Sequence, residues 1–268
     1  MTAAAELDRR SPGPGRRVLT AVEFDVLWEW LGLGATPVVL RLDSPGRTHT
    51  ERRAIVASGW HGLRERGLAD VTGPDPEIVR LMHLLAAPRG QLELRMRLGR
   101  ELRVVAATRA GVTTLAVRQD ATVTLSAAPG PVSAIVRSLP AAPAGPGFAV
   151  TVPSEALEAS IGSPGVAVAE GLRRRGVPAE DAEQVESMVS AVRGRGQLSV
   201  LAADQWGVLH RLRRVLGVLD TARGRYLMQR DTAADGVEWT TLCPVDVPRT
   251  RHRLDRLLVE ARTHAGRT

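Results

Sequence analysis

The residues that could do chemistry in this chain are few, and their spacing is poor for it. The single cysteine, Cys243, stands in "TTLCPV". A lone thiol makes no intrachain disulfide and no cysteine-based zinc site, and in a strand of that composition it reads as a small buried hydrophobe. The six histidines (49, 61, 83, 210, 252 and 264) never recur at i, i+4, the spacing that would place two imidazoles on one helix face around a metal. They read as structural or exposed side chains, with His61 and His83 at helix flanks. The chain contains no lysine. That excludes a GxxxxGK[ST] phosphate loop and a Schiff-base lysine. No GxSxG nucleophile elbow occurs, and the two "GPG" triplets, 13–15 and 145–147, do not join a strand to a helix. No cofactor and no metal are expected, and an enzyme would have to assemble its site from scattered residues.

Arginine is the exception to this sparseness. All 36 basic residues are Arg, and the formal net charge is +7. Together with the abundance of Ala, Gly and Pro, this looks like the codon bias of a GC-rich genome. Arginines fall beside acids, as in "ELDRR", "TERR" and "RLDRLLVEAR". A mixed solvated surface is therefore expected rather than a nucleic-acid footprint. Two arginine motifs occur twice: "GLRERG" (62–67) with "GLRRRG" (171–176), and "RGQL" at 89–92 and 195–198. The order is kept and the offsets, 109 and 106 positions, nearly agree. This suggests an internal duplication. The arginines then mark repeated structural joints instead of gripping an anion, because glycine just past a helix end has a backbone reason.

The elements around these motifs follow from periodicity and caps. Residues 1–17 read as a flexible tail. Thr20 with Glu23 and Thr48 with Glu51 form capping boxes opening two helices. Phe24, Leu27, Trp28 and Leu31 lie on the inward stripe of the first; Val56, Trp60 and Leu63 on that of the second. "TPVVLRLD" between them reads as a strand. Asp75 and Pro76 start a helix burying Ile78, Leu81, Met82 and Leu85. From "QLELRMRL" the period is two, and an antiparallel meander follows, closed by a helix over "PVSAIVRSL". "PAAPAGPG" (140–147) is a linker. Helical and strand patterns then recur: "PSEALEASIG", "VAVAEGLRRRG", a helix burying Ala182, Val185, Val189 and Val192, more strands, and a last helix turning Leu254, Leu257 and Leu258 inward. The domain plan is a tail, 1–17, then one domain over 18–268, with half one about 18–139 and half two about 148–262. The N-terminus lacks a signal-peptide core, and no apolar run could cross a bilayer, so a cytoplasmic protein is expected.

The stretch "LTAVEFDVLWEWLGLGATPVVLRLDSPGRTHTERRAIV" (19–56), with "GLRERGL" (62–68) and "LDTARGRYL" (219–227), resembles the EspG family of chaperones for type VII (ESX) secretion. The resemblance implies an α+β fold, an antiparallel β-sheet flanked by helical bundles in two quasi-two-fold-related halves. It implies a non-enzymatic protein that binds PE–PPE-like substrates at the apolar tip of the PPE-type helical bundle before export. It implies no catalysis and no cofactor. The interleaved charges and the lack of a long apolar run lead separately to an expectation of no nucleic acid and no stable membrane insertion, and the sequence leaves the oligomeric state open. The loop at "LGRE" (98–101), variable in the family, is short here. Trp206, Arg225 and Tyr226 are the candidate client-binding residues, since Trp, Tyr and Arg serve as interface anchors. Their competing reading is Trp206 and Tyr226 in the meander core and Arg225 at a solvated turn. A basic nucleic-acid-binding module and an unrecognised enzyme stand as alternatives.

Overall fold

The computed structural model describes residues 15–267; all of the expected tail except its last residues lies outside that range. Five strands build the first half of one sheet: β1 (Arg17–Thr20), β2 (Gly90–Leu98), β3 (Arg100–Arg109), β4 (Val112–Gln119) and β5 (Thr122–Ala128). The second half uses β6 (Val150–Pro153), β7 (Val192–Ala203), β8 (Leu209–Arg211), β9 (Leu216–Thr221), β10 (Gly224–Thr232) and β11 (Glu238–Pro244). The spatial order is β1-β5-β4-β3-β2-β7-β9-β10-β11-β6, with β8 also paired to β7. The halves meet where β2 runs antiparallel to β7, and the order of strands outward from this seam is equivalent on both sides. Glu93 lies opposite Ser199. The two are 106 positions apart, the same offset as the repeated "RGQL", so this pair maps onto itself and marks the pseudo-dyad. Among the described residues, β8 has no counterpart in the first half.

Helices follow the same plan. α1 (Ala21–Trp30), α2 (His49–Glu65) and α3 (Pro76–Ala86) belong to half one, and α5 (Ser154–Ile161), α6 (Val168–Arg173) and α7 (Ala179–Val189) to half two. α4 (Pro131–Ser138) and α8 (Val247–Ala265) end the halves. Alternation along β2 decides which face meets which helices. Leu92, Leu94 and Met96 join Val200, Val218, Ile135, Leu254 and Leu257 in a core beneath α4 and α8. On the opposite face Val105, Ala116 and Leu125 pack with Phe24, Leu63 and Leu81, while Leu219, Tyr226 and Leu242 pack with Leu157, Leu172 and Val185. The second face is thus covered at its two sides, and Arg95, Arg97, Arg195 and Gln197 near the seam stay exposed.

The repeated motif is the same joint twice. Gly67 (φ +65°) and Gly176 (φ +83°) both take left-handed backbone just past α2 and α6. Leu68 N–H donates to the Leu63 carbonyl (2.9 Å) and Val177 N–H to that of Leu172 (3.1 Å), the six-to-one bond of a glycine-ended helix. The leading glycines are close approaches: a Cβ at Gly62 would lie 2.9 Å from Glu23 Oε1, and one at Gly171 would lie 2.8 Å from Ser160 Oγ. Both capping boxes form, and Asp75 caps α3.

Two expectations are corrected. The strand expected in "TPVVLRLD" is a 3-10 turn, Val38–Leu40, ended by Arg41 in left-handed backbone. Its carbonyls need no strand partner, because Arg103 donates to Val39 (2.8 Å) and Arg118 to Leu40 (2.6 Å). Order begins earlier than expected, at β1, which pairs with β5. The helix in "VAVAEGLRRRG", the second-half counterpart of the Trp60 helix, is the shorter of the two, six residues against seventeen.

Candidate functional site

The three candidate residues part company once buried area is considered. Arg225 is 3% exposed and Tyr226 is 0% exposed. Both lie at the start of β10 and hold the 140–147 segment. Arg225 Nε and Nη2 bond the two carboxylate oxygens of Asp220 at 2.6 and 2.8 Å, and Nη2 also donates to the Pro140 carbonyl at 2.7 Å. Arg225 N–H donates to Pro143 O (2.8 Å), and Gly145 N–H donates back to Arg225 O (3.1 Å). Tyr226 donates its phenol proton to Pro146 O at 3.2 Å. A Cβ on Gly145 would fall within the Tyr226 ring, so the segment lies flat on it. Burial pushes the Tyr226 phenol up from its ordinary value, with nearby Arg223 opposing. These two side chains fasten the inter-half segment to the sheet and present no surface.

Trp206 is the opposite case, at 78% exposure. It sits at the tip of the β7–β8 hairpin, next to Val208, also exposed. The tip is held from inside by buried Asp204. One carboxylate oxygen accepts from Trp206 N–H and Val208 N–H, both at 2.9 Å, and the other lies 2.8 Å from His210 Nε2. Arg89 Nη1 donates to the Asp204 carbonyl at 2.7 Å, and Gly207 (φ +89°) turns the chain. The His210 hydrogen bond, then the two backbone bonds, hold the Asp204 carboxyl below the usual carboxylate range against the opposing effect of burial. Ordering this turn in advance lowers the entropy that a partner would otherwise have to supply to use the indole. The pseudo-dyad places this tip in the role of the β2–β3 connection, which here is a tight turn at Gly99 (φ +71°). The extension that half one lacks is thus present in half two. Sequence reasoning found Trp206 from residue type. It missed Asp204, whose carboxylate sits two residues ahead of the tryptophan as an Asx turn requires.

A cleft of about 720 Å³ is lined by Phe148, Cys243, Arg249, His252 and Arg253 among others. Burial pushes the Cys243 thiol up despite the two arginines, the wrong direction for a nucleophile. Among the described residues, no three His, Cys, Asp or Glu converge as a metal site, and no helix is long and apolar enough to cross a membrane.

A family model described as the EspG family matches residues 20–256. The chain belongs to the EspG family. Among curated proteins it is similar to the ESX-3 secretion-associated protein EspG3 of Mycolicibacterium smegmatis, 29% identical over 258 residues, covering 91% of this chain and 87% of that protein. Among solved structures its fold is similar to the Mycobacterium tuberculosis type VII secretion system chaperone EspG5, determined in complex with a PE25–PPE41 dimer. The TM-score is 0.69 at 18% identity, covering 88% of this chain and 93% of that one. The EspG fold, a large antiparallel sheet with flanking helices, is the one described above. In this EspG chain the seam and the Trp206 hairpin are the exposed features that the pseudo-symmetry sets apart.

Proposed function

We propose that this protein is a non-enzymatic, cytoplasmic chaperone of a type VII (ESX) secretion system that binds PE–PPE-like substrates. It would shield the apolar tip of the PPE-type helical bundle and keep the pair soluble before export. The family match over residues 20–256 carries this reading, and the likeness to an EspG5 determined with a PE–PPE dimer agrees with it. An apolar tip of several hundred Å² promotes aggregation unless covered. A cover that must later release suits a standard-sized interface with few anchors.

Of the three candidate contacts, Trp206 is retained in the proposal. Arg225 and Tyr226 are assigned to folding, because their side chains are enclosed. The domain plan enters as a proposal too: the two halves act as one unit through the β2–β7 seam. Co-expression with a genomically adjacent PE–PPE-like pair tests the reading, and a soluble complex with one copy of this protein is expected. Trp206→Ala is expected to weaken the complex about tenfold or more while leaving the melting temperature of the free protein unchanged, since surface substitutions stay within about 0.5 kcal/mol. Failure of every adjacent pair to be retained would refute the assignment.

A further inference from the structure

The exposed strip at the seam carries like charges in register. Arg97 of β2 lies directly opposite Arg195 of β7. Directly opposed side chains in an antiparallel pair have Cβ atoms about 5 Å apart, and like charges there are destabilising. Arg95, two residues along on the same face, lies opposite Gln197 on one side and Arg103 on the other. The carboxylates of this face are engaged elsewhere. Glu93 bonds Arg211 at 2.6 Å. Glu101 stands opposite Arg97 in register, but its carboxylate bonds Arg103 at 2.6 Å. Arg41 and Arg95 also lie within electrostatic reach of Glu101 and, after Arg103, help hold its carboxyl below the usual range. Buried Arg103 has an Nε with no hydrogen-bond partner. Arg103, Arg41 and Arg95 thus all act on the single carboxylate of Glu101, while Arg97 and Arg195 face each other, exposed, beside it.

We infer that this face of the β2–β7 seam docks an acidic, carboxylate-bearing segment of the protein client. The inference rests on the chaperone reading above and adds the chemistry of the partner. Paired arginines facing one way offer planar forks matched to carboxylates. The footprint argues for a protein and against a nucleic acid. Arg95, Arg97 and Arg195 span two strands and one repeat of the pleat, roughly 5 by 7 Å. That admits two or three acidic side chains, whereas duplex binding draws on about six to ten phosphates.

The test compares wild type with Arg97→Gln/Arg195→Gln and with Arg251→Gln/Arg256→Gln, which removes two exposed charges from α8 at equal net charge. Fluorescence anisotropy measures binding of a labelled glutamate-rich peptide and of a short DNA duplex, and co-expression measures retention of the PE–PPE-like pair. The seam variant should bind the peptide at least about tenfold more weakly than the α8 variant, with reduced salt dependence, and should release the pair at physiological salt. Its melting temperature should equal or exceed that of wild type, because a repulsion has been removed. Equal loss in both variants, or tighter seam-dependent binding of the duplex than of the peptide, would overturn the inference. So would a seam variant that still retains the pair, with the chaperone reading intact. If wild type retains no pair, that reading fails by itself, and the peptide comparison still decides the seam.

Discussion

Replacing Arg225 by Ala should destabilise the protein severely rather than remove a client contact. The guanidinium makes a two-pronged ion pair with Asp220 and a third bond to the Pro140 carbonyl, all between 2.6 and 2.8 Å. Arg225 and Asp220 are both buried. Truncation leaves a buried carboxylate uncompensated, and breaking a buried pair from one side costs about 3–5 kcal/mol. It also frees the 140–147 segment, which Arg225 and Tyr226 pin to β10. For a chain of this size about 1 kcal/mol moves the melting temperature by some 2–4 °C, so a drop of roughly 6–20 °C is expected. Calorimetry of Arg225→Ala, Asp220→Asn and the double variant would read both the cost and the coupling. Removing both charges should recover part of the loss, because the isolated buried ion is the larger penalty. A single variant with unchanged melting temperature and abolished client binding would refute the assignment of Arg225 to folding.

Tyr226 is the chain's one tyrosine, so its ultraviolet difference spectrum reports a single phenol. Ionisation is expected above the ordinary value of about 10, because burial disfavours the phenolate, and the stability held by the protonated phenol is lost as pH rises through that shifted value. Titration at or below 10 in the folded protein would contradict the enclosed ring. Asp204 has a lowered carboxyl pKa, so its contribution to the hairpin is present above the unfolded carboxylate value of about 3.9 and fades as pH falls through the lower folded value. The amide resonances of Trp206 and Val208 should report this loosening, and Asp204→Asn should perturb them already at neutral pH. Gly171→Ala should cost about 1–3 kcal/mol by overpacking, since the new Cβ would meet Ser160 Cβ at 2.9 Å and its Cα at 3.2 Å. Urea denaturation checks this, and an unchanged midpoint would remove the close-approach argument for the motif's first glycine.

Local signals were legible in the sequence wherever one residue and its near neighbours decide the geometry. The Thr20/Glu23 and Thr48/Glu51 boxes, the Asp75 cap and the left-handed glycines 67 and 176 are set by backbone groups within a turn. The β2 alternation selected Leu92, Leu94 and Met96 for one core, and the paired echoes foretold a doubled scaffold that the strand order around the seam displays. "TPVVLRLD" shows the limit of such reading. Its composition suits a strand, yet its carbonyls are taken by Arg103 and Arg118 from distant strands, so a turn suffices. The same limit governed the candidate site. "RGRYL" and "DQWGV" each hold an aromatic beside polar groups, and sequence assigns no burial to either. Strand register decided the matter: it brought Asp220 opposite Arg225 and Arg97 opposite Arg195. The first pair is enclosed because the 140–147 segment closes over it, while the second is left exposed on the face of the seam opposite α4 and α8. Partner distance along the chain is free in sequence and fixed by pairing, so only the tertiary structure could separate an arginine that fastens the scaffold from one that faces a client.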